Sequence, residues 1–370
     1  MTTRIAYVIP TLVQGGAEKQ LSLLVRNLPQ SEFEPRVFIL THDGPLSDEV
    51  REAGIPVELI GKSFKADPTA LWRLSRQIKK FDPQIMQSSL FAANSFGRVA
   101  AMMAGVPIRI ASERCVDHWK TPFHFWIDRR LASRSAAMTT NSQGVVEFYS
   151  SHGIDEKLFE VIPNAIEPSR PPSVGFESRE AIAERLGVDP ERHWILAVGR
   201  LWHQKRYRDL IWAAELLSAM RGDTQFLICG DGPQRDELLR FRDSVSKPEH
   251  VKFLGHREDI SDWRHEAFVF WNGSEAEGQS NSILESMLAG VPVVASNIPG
   301  NRDLIEDRLT GRLVTLGEAS EFAAATHEWL EDPKQANAIS ESAKKRIRSD
   351  FTTERMVERY AALYRRLLQN

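Results

Sequence analysis

The sequence is poor in cysteine and contains no long apolar run. Its two cysteines, Cys115 and Cys229, lie far apart with no Cys-x-x-Cys spacing. This argues against a metal site built from cysteines and favours a reducing cytosol, in which both residues are buried, unreactive thiols. The longest run of apolar, Gly and Pro residues, at positions 99–108, is too short for a membrane span, which takes roughly 20 residues. The N-terminus turns polar by Thr11 and Gln14, so we expect no signal peptide and a cytoplasmic location.

Net charge is also nearly absent. With 47 Lys and Arg against 50 Asp and Glu, the chain carries −3, so no bulk positive field exists to hold nucleic acid or an anionic membrane surface. Any basic site must therefore be local. The sequence does contain ordinary globular material, with 42% apolar and 26% charged residues, and its 370 residues are enough for two domains with their own cores.

The chain repeats a short apolar strand, a turn rich in Gly or polar residues, and an amphipathic helix. The alternation predicts parallel sheets covered by helices on both faces. It breaks at residues 167–176, EPSRPPSVGF, where three prolines forbid a continuing helix or a central strand. Strands are predicted at residues 5–9, 36–40, 57–60, 84–87, 108–111, 137–140, 193–198, 225–229, 251–254, 267–271, 291–295 and 312–314. We predict two doubly wound α/β domains, and a final helix that leans back across the linker, with bounds of 1–168, 177–352 and 353–370.

In open parallel sheets, ligands bind beyond the carboxyl ends of the strands, so with two sheets the expected site lies between them. The Gly-x-Gly-x-x-Gly fingerprint of dinucleotide-binding proteins is not met. Gly15-Gly16 lacks the Gly-x-Gly spacing, and Arg235 stands where the third glycine should follow Gly230 and Gly232. This pattern disfavours a nicotinamide or flavin enzyme.

Three predicted strand ends in the second half carry turns with more than one interpretation. At the first, Arg200 and Lys205 can both reach a diphosphate, and a solvated basic loop explains them equally well. The second, residues 230–233, is either a close backbone approach to a ligand or ordinary turn punctuation. After Gly255, at the third, Arg257 can lie flat on a base or form a local cap or salt bridge.

A fourth strand end is more specific. A loop with Glu277 and Gly278 runs into a predicted helix whose first turn holds residues 280–282, Ser-Asn-Ser. Backbone amides and the helix dipole at such an N-terminus favour a phosphate or sugar hydroxyls. Glu285 lies before an apolar stretch, where a carboxylate needs polar partners such as a pair of ribose hydroxyls. The alternative is a capped surface helix with incidental acids.

In this order and at these strand ends, the motifs resemble those of the retaining family-4 glycosyltransferases, the glycosyl transferases of group 1 with the GT-B fold. The likeness covers essentially the whole chain. Its motifs are Gly15-Gly16-Ala17-Glu18, VIPNAI at 161–166, Gly199-Arg200 with Lys205, GDGP at 230–233, FLG at 253–255, Glu277 with Glu285, and GVPVV at 290–294. It implies two Rossmann-like domains facing a cleft, with a nucleotide-sugar donor held mostly by the C-terminal domain and an acceptor mostly by the N-terminal one.

The resemblance also implies roles for particular residues. Arg200 and Lys205 would grip the donor diphosphate, Glu277 would hydrogen-bond the transferred sugar, and Glu285 would bind the ribose. The region Gly255 to Arg257 would border the nucleobase. Gly15 and Gly16, after the first strand, would let the backbone approach the donor. The donor contacts implied besides Glu285 are Gly15, Gly16, Gly255, Arg257, Gly278, Gln279, Ser280, Asn281 and Ser282.

In the N-terminal half, many relatives place a catalytic His or an equivalent polar residue after the fourth or fifth strand. His118 is the catalytic candidate here, with Asp117 and Arg114 as competitors for acceptor or sugar contacts. The next segment, TPFHFWIDRRLASR at 121–134, is aromatic and basic. It either rests on a membrane or a lipid-linked acceptor, or forms a solvated helix with one face in the core.

The expected function is retaining, metal-independent transfer of a hexose from a nucleotide sugar, foremost a UDP-sugar, to a glycan or lipid-linked acceptor. Such an enzyme would serve surface polysaccharide or glycoconjugate synthesis. We expect no cofactor besides the donor substrate, no nucleic acid partner, and a weak peripheral contact with the inner face of the cell membrane. Two alternatives stay open: a sugar-nucleotide epimerase of the same fold, and a non-catalytic protein that binds sugar nucleotides.

Overall fold

The computed structural model describes residues 2–13, 15–167 and 177–369. The chain divides into two compact units, one formed by Met1–Ala165 with Phe351–Asn370 and the other by Ile166–Asp350. Of the predicted Pro-rich linker, positions 168–176 lie outside the described residues.

The first unit contains a seven-stranded sheet in the order β3-β2-β1-β4-β5-β6-β7, and every pair of neighbours is parallel. The order reverses between β1 and β4, as in a doubly wound sheet. Its strands are β1 (Thr3–Thr11), β2 (Phe33–His42), β3 (Val57–Leu59), β4 (Ile85–Ser89), β5 (Ile108–Glu113), β6 (Ala137–Thr140) and β7 (Phe159–Val161). The helices between them are α1 (Gly16–Asn27), α2 (Pro45–Glu52), α3 (Pro68–Phe81), α4 (Phe91–Ala104), α5 (Pro122–Ala132) and α6 (Gln143–Ser151).

The second unit repeats the architecture with a six-stranded parallel sheet in the order β10-β9-β8-β11-β12-β13, which reverses between β8 and β11. Its strands are β8 (His193–Val198), β9 (Thr224–Cys229), β10 (Val251–Gly255), β11 (Val269–Asn272), β12 (Val293–Ser296) and β13 (Arg312–Val314). Its helices are α7 (Arg179–Leu186), α8 (Tyr207–Met220), α9 (Arg235–Val245), α10 (Ile260–Trp263), α11 (Asn281–Leu288), α12 (Pro299–Arg302), α13 (Ala319–Glu331) and α14 (Pro333–Asp350).

The last helix, α15 (Thr353–Gln369), returns to the first unit. Its apolar face joins the core cluster formed by α1 and the β1 and β2 strands. The buried hydroxyl of Tyr364 donates to Gln87 Oε1 over 2.7 Å and lies 3.0 Å from the hydroxyl of Tyr7. The predicted fold class, two doubly wound parallel-sheet units with a final helix that returns to the first, is confirmed. None of the helices within the described ranges has the length and apolar character needed to cross a membrane.

Candidate active site

The carboxyl ends of β8, β9 and β10 are tied together by backbone contacts. The amide of Gly230 donates to the carbonyl of Gly255 over 2.7 Å, and the amide of Leu201 donates to the carbonyl of Asp231 over 3.0 Å. Gly230 has a φ of +146°, and a Cβ there would overlap the carbonyl of Gly199. Tight packing between loops therefore explains the glycine at position 230, and a close approach of this turn to a ligand stays a prediction.

Arg200 and Lys205 follow β8 but have different surroundings. The exposed guanidinium of Arg200 lies 5.0 Å from the ring centroid of Trp202, and it forms no ion pair with any residue that the structure describes. Lys205 ends a short 3-10 turn and forms an ion pair with Glu277. The sequence singled out Lys205 and Glu277 in separate motifs, and the fold brings them into contact.

Glu277 lies in a loop that is hydrogen-bonded to the turn that ends at Lys205. Its Oε1 also accepts a 2.7 Å hydrogen bond from the hydroxyl of Ser274. The amide of Glu275 donates to the carbonyl of Gln204 over 2.9 Å, and the Gln204 side chain donates back to the carbonyl of Ala276. The Glu277 side chain is only 11% exposed, so this carboxylate is held at a fixed place near the surface.

Residues 278–282 lead into α11 and include its first two residues. The carbonyl of Gly278 packs closely against α12. A Cβ at Gly300 of that helix would overlap this carbonyl. Ser280 occupies the N-cap position but makes no side-chain cap; instead its hydroxyl lies 3.0 Å from that of Ser282. The positive end of the helix dipole is thus not capped by this side chain, which is compatible with a bound anion. Gln279 and Asn281 also lie in this segment, the first buried and the second half-buried.

Glu285 has a partner that the sequence reasoning missed. The guanidinium of Arg264, itself only 5% exposed, donates to Glu285 Oε2 over 2.6 Å. It also donates to the carbonyl of Ser282 and to the hydroxyl of Ser286, both over 3.1 Å. The one sequence signal for this contact was that Glu285 needed a polar partner; nothing singled out Arg264.

Arg257 adopts the local salt bridge that was one of its alternatives. Its guanidinium donates to both carboxylate oxygens of Asp259, over 2.7 and 2.6 Å. These hydrogen bonds, together with the charges of Arg257 and Arg185, lower the pKa of Asp259 to about 2. Gly255 precedes this pair with a φ of +70°, and a Cβ there would meet open space. A contact of Arg257 or Gly255 with a nucleobase stays a prediction.

The glycines of the first unit lie at the start of α1. Gly15 is its N-cap residue and Gly16 its first residue. A Cβ at Gly15 would come within 2.6 Å of Cδ of Glu18, and the hydroxyl of Thr11 donates to the Glu18 carboxylate over 3.3 Å. Burial raises the pKa of Glu18. The turn therefore accommodates a nearly buried carboxylate, a role that the motif itself did not indicate.

The three candidates after β5 differ in their contacts. The exposed ring of His118 packs edge-on against Phe148, with the centroids 5.3 Å apart. Arg114 donates to Asn164, in the VIPNAI motif, and to the hydroxyl of Tyr360 of α15 over 3.2 Å. Of the candidates, Arg114 thus connects parts of the first unit, whereas His118 presents its ring to solvent.

Asp117 belongs to a buried ionic network that no motif indicated. Lys120, whose side chain is fully buried, lies 3.5 Å from both Asp117 and Glu113 and 2.9 Å from Asp128. The hydroxyl of Tyr149 lies 3.0 Å from Glu113 and 3.1 Å from Asp117. Burial, and then the charge of Glu113, raise the pKa of Asp117. The network gives the loop before His118 a rigid support.

The cysteines agree with the sequence prediction in one case. Cys229 ends β9 in the core, and burial raises the pKa of its thiol to about 12. Cys115 is half-buried, so the prediction that both thiols are buried is wrong for it; it follows β5 in the loop that carries the acceptor-side candidates. Within residues 2–13, 15–167 and 177–369, no cluster of three or more His, Cys, Asp or Glu side chains is placed to hold a metal ion.

Two family profiles together cover most of the chain. The profile described as "Glycosyl transferases group 1" matches residues 178–346, and the one described as "Glycosyltransferase Family 4" matches residues 14–170. They meet in the region of the predicted linker, so each profile corresponds to one of the two sheets.

Individual relatives match over nearly their full length. The chain is 26% identical to the UDP-Gal:alpha-D-GlcNAc-diphosphoundecaprenol alpha-1,3-galactosyltransferase of Escherichia coli, over 98% of this chain and 96% of that one. It is 26% identical to the lipopolysaccharide core biosynthesis mannosyltransferase LpsB of Rhizobium meliloti, over 100% and 94%. Among solved structures, Anabaena Alr3699/HepE in complex with UDP-glucose matches with a TM-score of 0.87 at 22% identity, over 98% of this chain and 99% of that one. The fold is that of the GT-B enzymes, and the chain belongs to the group 1, family 4 glycosyltransferases.

Proposed function

We propose that the protein transfers a hexose from a UDP-sugar, with retention of anomeric configuration, to a glycan or lipid-linked acceptor in surface polysaccharide or glycoconjugate synthesis. The observation that carries the proposal is the Lys205–Glu277 ion pair. It joins the loop after β8, which begins near Arg200, to the loop that precedes α11. The Escherichia coli relative is named for a UDP-galactose donor and a diphosphoundecaprenol acceptor, and the Anabaena neighbour binds UDP-glucose. These names support the choice of donor and acceptor class.

The chemistry follows from the charges that develop during transfer. Breaking the anomeric bond places negative charge on the leaving diphosphate and oxocarbenium character on the sugar. The Lys205 ammonium has three N–H donors and the Glu277 carboxylate has two oxygens. Lys205 can therefore keep its contact with Glu277 and still donate to a phosphate, while Glu277 Oε2 accepts from a sugar hydroxyl. Arg200, which has no competing carboxylate within the described chain, supplies a second, planar cation to the diphosphate.

We propose same-side substitution, in which the leaving phosphate takes the acceptor proton, and no metal requirement. Two cations, Lys205 and Arg200, stabilise the charge that a divalent ion would otherwise offset, and loss of one such donor typically costs on the order of 100–1000-fold in rate. On the acceptor side, His118 is the candidate for contact with the sugar or acceptor because its ring is exposed, whereas Arg114 is engaged with Asn164.

A donor screen followed by two variants tests this function. UDP-, GDP-, dTDP- and ADP-sugars are compared by thermal shift and ligand NMR, and transfer from the bound donor is then measured with and without EDTA. We expect stabilisation by a UDP-sugar, and at least a hundredfold loss of transfer in Lys205→Ala and Glu277→Ala, because each removes one half of the ion pair. EDTA should leave transfer unchanged.

The matched control is Lys334→Ala, which removes an exposed lysine of α14 in the same unit and should retain wild-type transfer. Full activity in Lys205→Ala or Glu277→Ala would refute the site assignment. Epimerised free sugar nucleotide without added acceptor would instead identify an epimerase. Saturable donor binding with neither transfer nor donor hydrolysis would identify a binding protein.

A further inference from the structure

Helices α3, α4 and α5 of the first unit leave large apolar side chains exposed on the surface. Trp72, Met103, Phe123 and Trp126 are 57%, 55%, 65% and 49% exposed, respectively. The rings of Phe123 and Trp126 stack with their centroids 6.0 Å apart. We call these four residues the aromatic face. So many exposed large apolar groups on neighbouring elements are typical of a surface that meets a partner or a membrane.

An apolar pocket of about 310 Å³ is lined by residues of the same three helices. Trp126 both lines the pocket and reaches solvent, so the pocket belongs to the aromatic face. The wall from α4 includes Val99, one helical turn before the exposed Met103. The lining residues are Leu71, Ser95, Phe96, Val99, Trp126, Ile127, Arg130 and Leu131. A mainly hydrocarbon wall suits an apolar chain.

The region that carries the aromatic face is strongly basic. Residues 61–134 contain thirteen Lys and Arg against five Asp and Glu, a net of eight positive charges in a chain whose total is −3. Neutrality of the whole chain therefore conceals a local positive field, and the inference from net charge against an anionic surface does not hold for this region.

The acids of this region do little to offset the field at the surface. Asp67, Glu113 and Asp128 are buried, Asp82 pairs with Arg4, and Asp117 lies beside the buried Lys120. Two of the cations, Arg98 and Lys120, are buried as well, whereas others stand beside the exposed rings. The guanidinium of Arg76 lies 5.5 Å from the ring centroid of Trp72, and that of Arg130 lies 5.7 Å from that of Trp126. Cations beside aromatic rings are the combination that binds the headgroup region of a bilayer.

We propose that the aromatic face docks the first unit on an anionic lipid bilayer, with the acyl chain of a lipid entering the pocket. A second copy of the chain is the less favourable occupant, because a two-fold interface would bring two net-positive faces together. Trp119, which directly follows His118, packs against His124 with the ring centroids 5.2 Å apart, and His124 packs against Phe123 of the aromatic face. Docking by this face would thus bring the acceptor-side candidate close to the membrane surface.

The test is binding of the full chain to vesicles, without any donor or acceptor. Vesicles of phosphatidylcholine with roughly a third phosphatidylglycerol are compared with pure phosphatidylcholine by co-sedimentation at increasing salt. We expect at least tenfold tighter binding to the anionic vesicles, weakening with salt. The double variant Trp72→Ala/Trp126→Ala should lose about tenfold or more, and Arg76→Gln/Arg130→Gln should lose the preference for anionic lipid.

Two controls separate docking from general effects. Trp212→Ala removes a comparably exposed tryptophan, 44% exposed, from α8 of the second unit and should bind as wild type. Circular dichroism and thermal unfolding check that the variants fold. Lipids brominated on the acyl chain should quench tryptophan fluorescence in the wild type, and less in Trp126→Phe, because Trp126 lines the pocket.

The proposal is overturned if the two vesicle types bind equally, or if Trp72→Ala/Trp126→Ala binds as wild type. It is also overturned if the chain forms a concentration-dependent dimer that this variant abolishes, since a second copy would then occupy the face. Because no donor is present, vesicle binding can succeed while the proposed sugar transfer fails, and the reverse.

Discussion

A single guanidinium organises the acid that we expect to bind the donor ribose. Arg264 contacts the carboxylate of Glu285, the carbonyl of Ser282 and the hydroxyl of Ser286. In Arg264→Met, Glu285 keeps its charge but loses its buried partner. We predict a loss of about 1–3 kcal/mol in the free energy of unfolding, measured with urea. Donor affinity, measured by calorimetric titration, should fall roughly tenfold, since a charge-assisted bond of about 1.5–3 kcal/mol no longer orients the carboxylate.

Arg208→Met is the matched control for this prediction. Arg208 pairs with Glu237 over 3.3 Å on the surface, with side chains 55% and 41% exposed. An exposed pair of this kind contributes about 0–1 kcal/mol. Equal losses of stability and donor affinity in Arg264→Met and Arg208→Met would contradict a role of Arg264 in the donor site.

At this scale, the sequence predicted residue types and the fold supplied their partners. Lys205 and Glu277 were predicted from motif order, and their contact was not, because 72 positions separate them. Arg264 belongs to no motif. Its contact with Glu285 forms only because the fold places the residue after α10 against α11. The same holds for Lys120, whose burial among carboxylates depends on three separate elements.

Among the elements, the loop after β9 is held by backbone packing. Gly230 combines a φ of +146° with direct contact against the carbonyl of Gly199. In Gly230→Ala, the methyl group would push apart the turns that carry Arg200 and Asp231. We predict a loss of about 2–4 kcal/mol in the free energy of unfolding and at least tenfold weaker donor binding. Urea unfolding and calorimetric titration measure the two effects.

Gly222→Ala provides the comparison for this substitution. Gly222 is exposed, its φ is not positive, and a Cβ there would have nothing within 4 Å. Such a substitution typically stabilises by about 0.4–1 kcal/mol, because it restricts the unfolded chain. If Gly230→Ala were as well tolerated as Gly222→Ala, the packing role of the GDGP glycines would be wrong.

Most elements followed from periodicity, and the exceptions have physical reasons. Buried parallel strands such as β9 and β12 read as continuous apolar runs between turns. The edge strand β7, Phe159–Val161, was not predicted, and its three residues are all half-buried. Helix α5 has one face in the core, as one of its two interpretations predicted, because Phe125 and Leu131 are buried and Phe123 and Trp126 are exposed. Contact of this segment with a membrane stays a prediction.

In the whole molecule, the two units differ in the number of chain segments that form them. The second unit is one continuous segment, Ile166–Asp350, and it contains every donor-side candidate from Arg200 to Glu285. The first unit consists of two segments and is complete only when α15 packs against the N-terminal segment. The predicted reversal of the chain thus makes the stability of the first unit depend on a segment that follows the whole second unit in the sequence.

This dependence predicts that a substitution in α15 affects one unit alone. Tyr364 is fully buried and bonds with Gln87 and Tyr7, so Tyr364→Ala should cost the first unit about 3–5 kcal/mol. In scanning calorimetry, we expect one of two unfolding transitions to shift to lower temperature. UDP should raise only the other transition, because a ligand stabilises the unit that binds it. Leu368→Ala, at a 39% exposed position of the same helix, should leave both transitions in place. A shift of the UDP-sensitive transition in Tyr364→Ala would show instead that the two units unfold together.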